Sequence, residues 1–208
     1  MLKIKTIVSG QIQVNCYIIY DVDTKAAIII DPGEDGAQVI SEIEKDGLKP
    51  EMLINTHGHF DHVLSDDQIR KHFNIPLAAH TESVSILSDP QKNASVFFSS
   101  TVSIKAPNML LTDNQIVELP WVKFKVIHTP GHTKDSICLL FDDFLITGDT
   151  LFAGDIGRTD LDGGSYGQIM QSLQKIKQLS PNLAIYPGHE ESSTLDFELK
   201  NNRYLSSK

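Results

Sequence analysis

The segment MLINTHGHFDH, residues 52–62, constrains this chain more than any other stretch. A short apolar run of strand character leads directly into four ligand-type side chains, His57, His59, Asp61 and His62, within six residues. Packing does not explain that density, because imidazole and carboxylate groups are costly to gather unless something binds them. Their nitrogen and oxygen donors suit zinc, iron and manganese, and alternating side chains on an extended loop can face two different ions. Strand ends of α/β sheets are also where ligands collect. The segment therefore predicts a metal site on a strand end, in a fold that brings other strand ends to the same edge.

Three later segments meet that requirement. His132 in HTPGHT, Asp149 in LITGDT and His189 in IYPGHE each close a predicted strand beside a glycine. Gly131, Gly148 and Gly188 would permit the tight turns that aim a short side chain inward. The full set is five histidines and two aspartates. Of the remaining histidines, His72 falls in a predicted helix, His80 at a strand end before a helix, and His128 four residues before His132. These three are assigned to surface or packing roles.

Alternating and continuous apolar runs predict strands over 3–9, 14–21 and 25–33, which read as a meander, and then over 52–55 and 76–79. Helical spacing predicts helices over 34–45, 65–72 and 81–88. Residues 89–112 lack a period, contain two prolines and many Ser and Asn, and are expected to form a long surface loop. The second half repeats the rhythm with strands over 115–119, 122–128, 136–142, 144–149 and 183–188 and a helix over 165–178. The alternation is that of an α/β protein, two packed sheets covered outside by helices. No linker interrupts it, so a single domain over residues 1–208 is expected.

Twenty-seven acidic against 18 basic residues give a net charge of −9, a field that repels polyanions and disfavours a nucleic-acid partner. The start MLKIKTIVSG lacks an apolar signal stretch and the apolar runs are strand-sized, so no membrane partner and a cytoplasmic location are expected. Cys16 and Cys138 sit in apolar runs and read as buried free thiols.

Together, THGHFDH, TPGHT, GDTLF and PGHE resemble the metallo-β-lactamase superfamily, and the resemblance spans His57 to His189. It implies a four-layer αβ/βα sandwich of two mixed sheets flanked by helices. It also implies two divalent metal ions per chain, zinc foremost, with iron or manganese as alternatives. His57, His59 and His132 would hold one ion, Asp61, His62 and His189 the other, and Asp149 would bridge them. Asp31 in IDPG would orient the metal-bound histidines from behind.

Within the superfamily, GDTLFAGDIGRTD is similar to the glyoxalase II-like branch. That similarity implies a metallohydrolase that splits S-lactoylglutathione or a related acyl thioester by a metal-activated hydroxide, which the catalytic Asp61 would orient. No serine or cysteine nucleophile and no organic cofactor is then required. Full-length glyoxalase II enzymes carry a further C-terminal helical region that helps bind glutathione. Only residues 190–208 follow His189, so the chain resembles a short single-domain branch, for which another acyl thioester is an expected alternative.

Three other readings fit parts of the set. A persulfide dioxygenase would use one iron held by two histidines and an aspartate; a non-catalytic metal-binding module would need no turnover. A β-lactamase is disfavoured by Asp149, where such enzymes place a cysteine ligand. Arg158 and Asp160 in GRTD are expected to brace a loop as a salt bridge. The sequence assigns no oligomeric state.

Overall fold

Several strands of this chain are apolar on both faces, so each sheet must be covered on two sides. The computed structural model describes residues 1–98 and 101–206. One sheet contains β1 (Leu2–Ser9), β2 (Val14–Asp21), β3 (Ala26–Ile30), β4 (Lys49–Ile54), β5 (Leu77–His80) and β6 (Met109–Leu111), in chain order. β1 to β3 form the expected antiparallel meander, and β3 to β6 pair in parallel. The second sheet contains β7 (Ile116–Leu119), β8 (Val122–His128), β9 (Ile137–Leu140), β10 (Phe144–Gly148), β11 (Ala184–Pro187) and β12 (Ser193–Thr194), again in chain order. Only β10 and β11 pair in parallel there.

The period-2 alternation of strands sorts the apolar side chains into three cores. Tyr17, Ile19, Ile28 and Ile30 face Phe124, Ile137, Leu139 and Ile146 between the sheets. On the outer face of the first sheet, Ile18, Ile29 and Leu53 pack under Val39 and Ile43 of α1 (Gly36–Lys45). Ile69 of α3 (Asp66–Phe73) joins them, after the short turn α2 (Phe60–Val63). α4 (Ser83–Leu87) follows β5. Outside the second sheet, Leu145 and Ile185 are covered by Leu173 and Ile176 of α5 (Tyr166–Lys177) and by Leu195 of α6 (Leu195–Asn201). The result is helix, sheet, sheet, helix: the four-layer α/β sandwich with two mixed sheets.

The expected surface loop over 89–112 is corrected in part. It holds a 3-10 turn (Ser95–Phe97) and the edge strand β6, while Val102 and Ile104 are buried in the core beneath the first sheet. A three-residue strand whose pairing comes from β5 leaves no period to read. Residues 99 and 100 of that stretch lie outside the described residues. α2, β12 and α6 are likewise too short to show a pattern. Cys16 and Cys138 are buried and free; burial pushes both thiols up, Cys138 to about 11. No helix among the described residues is long and apolar enough to cross a membrane.

Candidate metal centre

The candidate ligands all follow strand ends, five of them in loops and Asp61 and His62 in the turn α2. His57 follows β4 in a bend and His59 in extended backbone, and the turn α2 then swings Asp61 and His62 to a second position. The change from extended to helical backbone, rather than alternation along an extended loop, separates the two pairs. The second sheet adds His132 after β8, Asp149 after β10 and His189 after β11.

These side chains converge on two neighbouring spaces. The donor atoms of His57, His59 and His132 lie within 4.8 Å of one another, as do those of Asp61, His62 and His189. His59 Nδ1 stands 2.8 Å from His132 Nε2, and His62 Nε2 stands 3.2 Å from His189 Nε2. Asp149 lies between the groups: its Oδ2 is 3.5 Å from both His132 Nε2 and His189 Nε2, and its Oδ1 is 3.4 Å from His62 Nε2. Asp61 Oδ2 is 3.5 Å from His189 Nε2. His57 Nε2 and Asp149 Oδ1 are buried with no hydrogen-bond partner, a costly state that bound cations would relieve. An all nitrogen and oxygen donor set with such orphaned atoms fits divalent metal ions.

Most of the histidines are anchored through the nitrogen that faces away. His132 Nδ1 donates to Arg158 O at 2.8 Å and His189 Nδ1 to Ile12 O at 3.2 Å, which leaves each Nε2 facing the centre. His62 Nδ1 pairs with Asp31 Oδ2 at 3.0 Å. The Thr56 hydroxyl donates to the same oxygen at 2.6 Å and so accepts from His57 Nδ1 at 3.2 Å. Asp31 could itself join His57 and His62 in a third ligand group. Its oxygens are already engaged by Thr56 N, Thr56 Oγ1 and His62 Nδ1, so it orients the histidines. The carbonyls of Arg158 and Ile12 left no side-chain signal to read, and the Thr56 hydroxyl takes its role only from the fold that brings Asp31 beside it.

The electrostatics of the two groups differ, His57 and His59 being held neutral while negative charge gathers around His62 and His189. Burial pushes His57 well below the usual imidazole range and His59 to about 3, so both are neutral donors. Burial opposes charge on His62 and His189, but the carboxylates of Asp149 and Asp61 outweigh it; His62 rises well above its usual value and His189 to about 9. Burial likewise opposes charge on Asp149, yet His62, His189 and His132 hold its carboxyl well below the usual range.

Two of the flanking glycines lie in the left-handed region, Gly131 at φ 139° and Gly148 at φ 47°. Gly188 does not, although the chain bends there. Its need is for space, since an added Cβ would collide with Asp149 Oδ1 and lie 2.8 Å from His62 Cε1.

The other histidines lie outside the centre. His72 pairs with Glu44 on the surface at 2.9 Å. His80 is buried and stacked on His128 with ring centroids 4.0 Å apart, and burial reinforced by His128 lowers its pKa to about 4. Between about pH 6.5 and 4 the unfolded chain binds a proton at this residue that the folded chain does not. Stability therefore falls on acidification, and His80→Gln should remove about 1 to 2 kcal/mol of the loss between pH 7.5 and 5. Urea titrations of the metal-loaded protein at both pH values check this; identical pH slopes in variant and wild type would refute it.

A cleft of about 1030 Å³ opens over the centre, and His59, Asp61, His132, Asp149 and His189 reach it. Arg158 lines it and forms the expected brace with Asp160, two contacts of 2.7 Å.

The family model of the metallo-beta-lactamase superfamily matches residues 9–189. The hydroxyacylglutathione hydrolase GloC of Haemophilus influenzae is 32% identical over 212 residues, covering 100% of each chain. Among solved structures, the BLEG-1 B3 metallo-beta-lactamase superposes with a TM-score of 0.94 at 34% identity, covering 99% of this chain and 100% of its own. TTHA1623, crystallised in a di-iron-bound form, superposes at 0.86 with 25% identity, over 97% and 100% of the two chains.

Proposed function

Because this chain belongs to the metallo-beta-lactamase superfamily, we propose that the metal-dependent hydrolysis it performs is that of acyl thioesters, the glyoxalase II type of reaction. The observation that carries this reading is Asp149, set between two groups of three donors at the floor of an open cleft. The full-length similarity to GloC supports a thioester as the substrate.

In this reading His57, His59 and His132 would hold one ion and Asp61, His62 and His189 the other, with the Asp149 carboxylate available to both groups. Zinc is the proposed metal, and the di-iron relative makes iron the comparison. Two such ions, when bound, supply a water acidic enough to lose a proton near neutral pH and positive charge for the scissile carbonyl oxygen. Asp61 is partly exposed to the cleft, and its carboxylate is placed to hold and orient a proton of the attacking water. The buried thiols of Cys16 and Cys138, with their raised pKa values, take no part as nucleophiles. Water adds to the carbonyl carbon, the C–S bond breaks, and the products are a carboxylate, a thiol and one proton released to solvent.

Elemental analysis should find two ions per saturated chain and a fall towards one in His189→Ala; one ion in both would refute the binuclear assignment. Initial rates on S-lactoylglutathione, other acyl thioesters and glutathione persulfide, with defined metals, test the reaction. Absence of turnover on every thioester would sink it, and oxygen consumption with the persulfide would point to the dioxygenase instead.

A further inference from the structure

The cleft over the metal centre is lined by Val8, Ile12, Phe60, Phe97, Phe98 and Phe152. Four of these are large apolar side chains left strongly exposed: Val8 at 54%, Ile12 at 39%, Phe97 at 71% and Phe98 at 48%. Single exposed apolar residues need no explanation, but a cluster of them around a concave site marks a binding surface. Phe60 and Phe98 are already packed ring on ring, with centroids 4.2 Å apart, so part of this wall is formed before any ligand arrives.

Charge points the same way. Glu190 and Glu191 line the cleft, and Arg158 is the only lysine or arginine that does so among the described residues. The Arg158 guanidinium is spent in a bidentate pair with Asp160. A glutathione arm brings two free carboxylates and one ammonium, so its acidic groups would enter a cleft whose described walls offer glutamates and no unpaired lysine or arginine. An apolar arm would meet aromatic rings that gain by being covered.

We propose that the substrate of this centre is an uncharged thioester with an apolar acyl chain, carried on a thiol without free carboxylates, and that Phe97 and Phe98 set this preference. The proposal rests on the thioesterase reading and narrows its substrate.

Calorimetric titration of the metal-loaded protein with unreactive thioethers tests it. One series is N-acetyl-S-butyl-, S-hexyl- and S-octylcysteamine; the other is S-butyl-, S-hexyl- and S-octylglutathione. In the cysteamine series affinity should rise about three- to fourfold per added methylene. At each chain length it should exceed the glutathione series by about tenfold or more, the scale of one unfavourable charge contact. Phe97→Ala, at a well-exposed position that does not threaten the fold, should reduce the chain-length gain, and adding Phe98→Ala should reduce it to below about twofold per methylene. Asp160→Asn, which frees Arg158, should narrow the gap between the series.

Equal or tighter binding of the S-alkylglutathiones, or affinity independent of chain length, overturns the proposal. Turnover separates it from the reading beneath it. Faster hydrolysis of S-lactoylglutathione than of N-acetyl-S-octanoylcysteamine overturns the inference and leaves the thioesterase standing. No hydrolysis of any thioester overturns both.

Discussion

Asp149→Asn is expected to leave the chain unable to hold two ions and to lower kcat/KM by about 10³-fold or more. That exceeds the roughly 10- to 100-fold loss typical of a residue that only supports a ligand. Asparagine keeps the shape of the side chain but removes its charge and one of its two acceptor oxygens. Both oxygens matter here, because Oδ2 lies 3.5 Å from His132 and from His189 while Oδ1 lies 3.4 Å from His62. The amide also brings N–H donors towards histidines whose Nε2 atoms already face the centre. Metal content after dialysis and initial rates on a thioester check the expectation together. Retention of two ions with activity within tenfold of wild type would show that Asp149 does not bridge the groups.

Gly188→Ala should be nearly as damaging, by a steric route. The added methyl would occupy the space of Asp149 Oδ1, press on His62 Cε1 at 2.8 Å and approach Gly148 C at 3.2 Å. Since the backbone at residue 188 is not left-handed, alanine carries no conformational strain of its own, and the cost falls on the aspartate it displaces. Overpacking of this kind costs about 1 to 3 kcal/mol of stability. A ligand displaced by about 1 Å costs about 10²-fold in rate. A variant that melts within a few degrees of wild type but has lost metal and activity is the expected outcome; unchanged metal affinity would refute it.

The seven candidate ligands were legible because each carries its chemistry in its side chain, four of them crowded into THGHFDH behind a strand and the other three each beside a glycine at a strand end, all local features. Two packed sheets covered by helices were legible in the alternation of strands and helices, and the four-layer sandwich in the family resemblance; runs such as VNCYIIYD and AAIII, buried along nearly their whole length, give the physical reason for that cover. What escaped was set by partners distant in sequence. The stack of His80 on His128 joins residues from different sheets, and β6 exists only because β5 offers it an edge. Phe97 and Phe98 sit in a segment that read as a featureless loop, and their meeting with Val8 and Ile12 in one cleft depends on the finished fold.

Neither donor group belongs to one sheet. His57 and His59 need His132, and Asp61 and His62 need Asp149 and His189, from the opposite half of the chain. The seam beneath them is tied by Tyr17 Oη donating to Pro187 O at 2.6 Å and Ile137 N donating to Thr56 O at 2.8 Å. During synthesis the residues up to β6 carry four of the seven donors and can complete neither group. His189 emerges last, after β11 has been made. A complete donor group therefore requires the two halves to be docked, which couples metal binding to their docking. Bound there, the ions would act as rivets across the seam: at a free metal concentration 1,000 times its dissociation constant, each would add about 4 kcal/mol against the sheets parting.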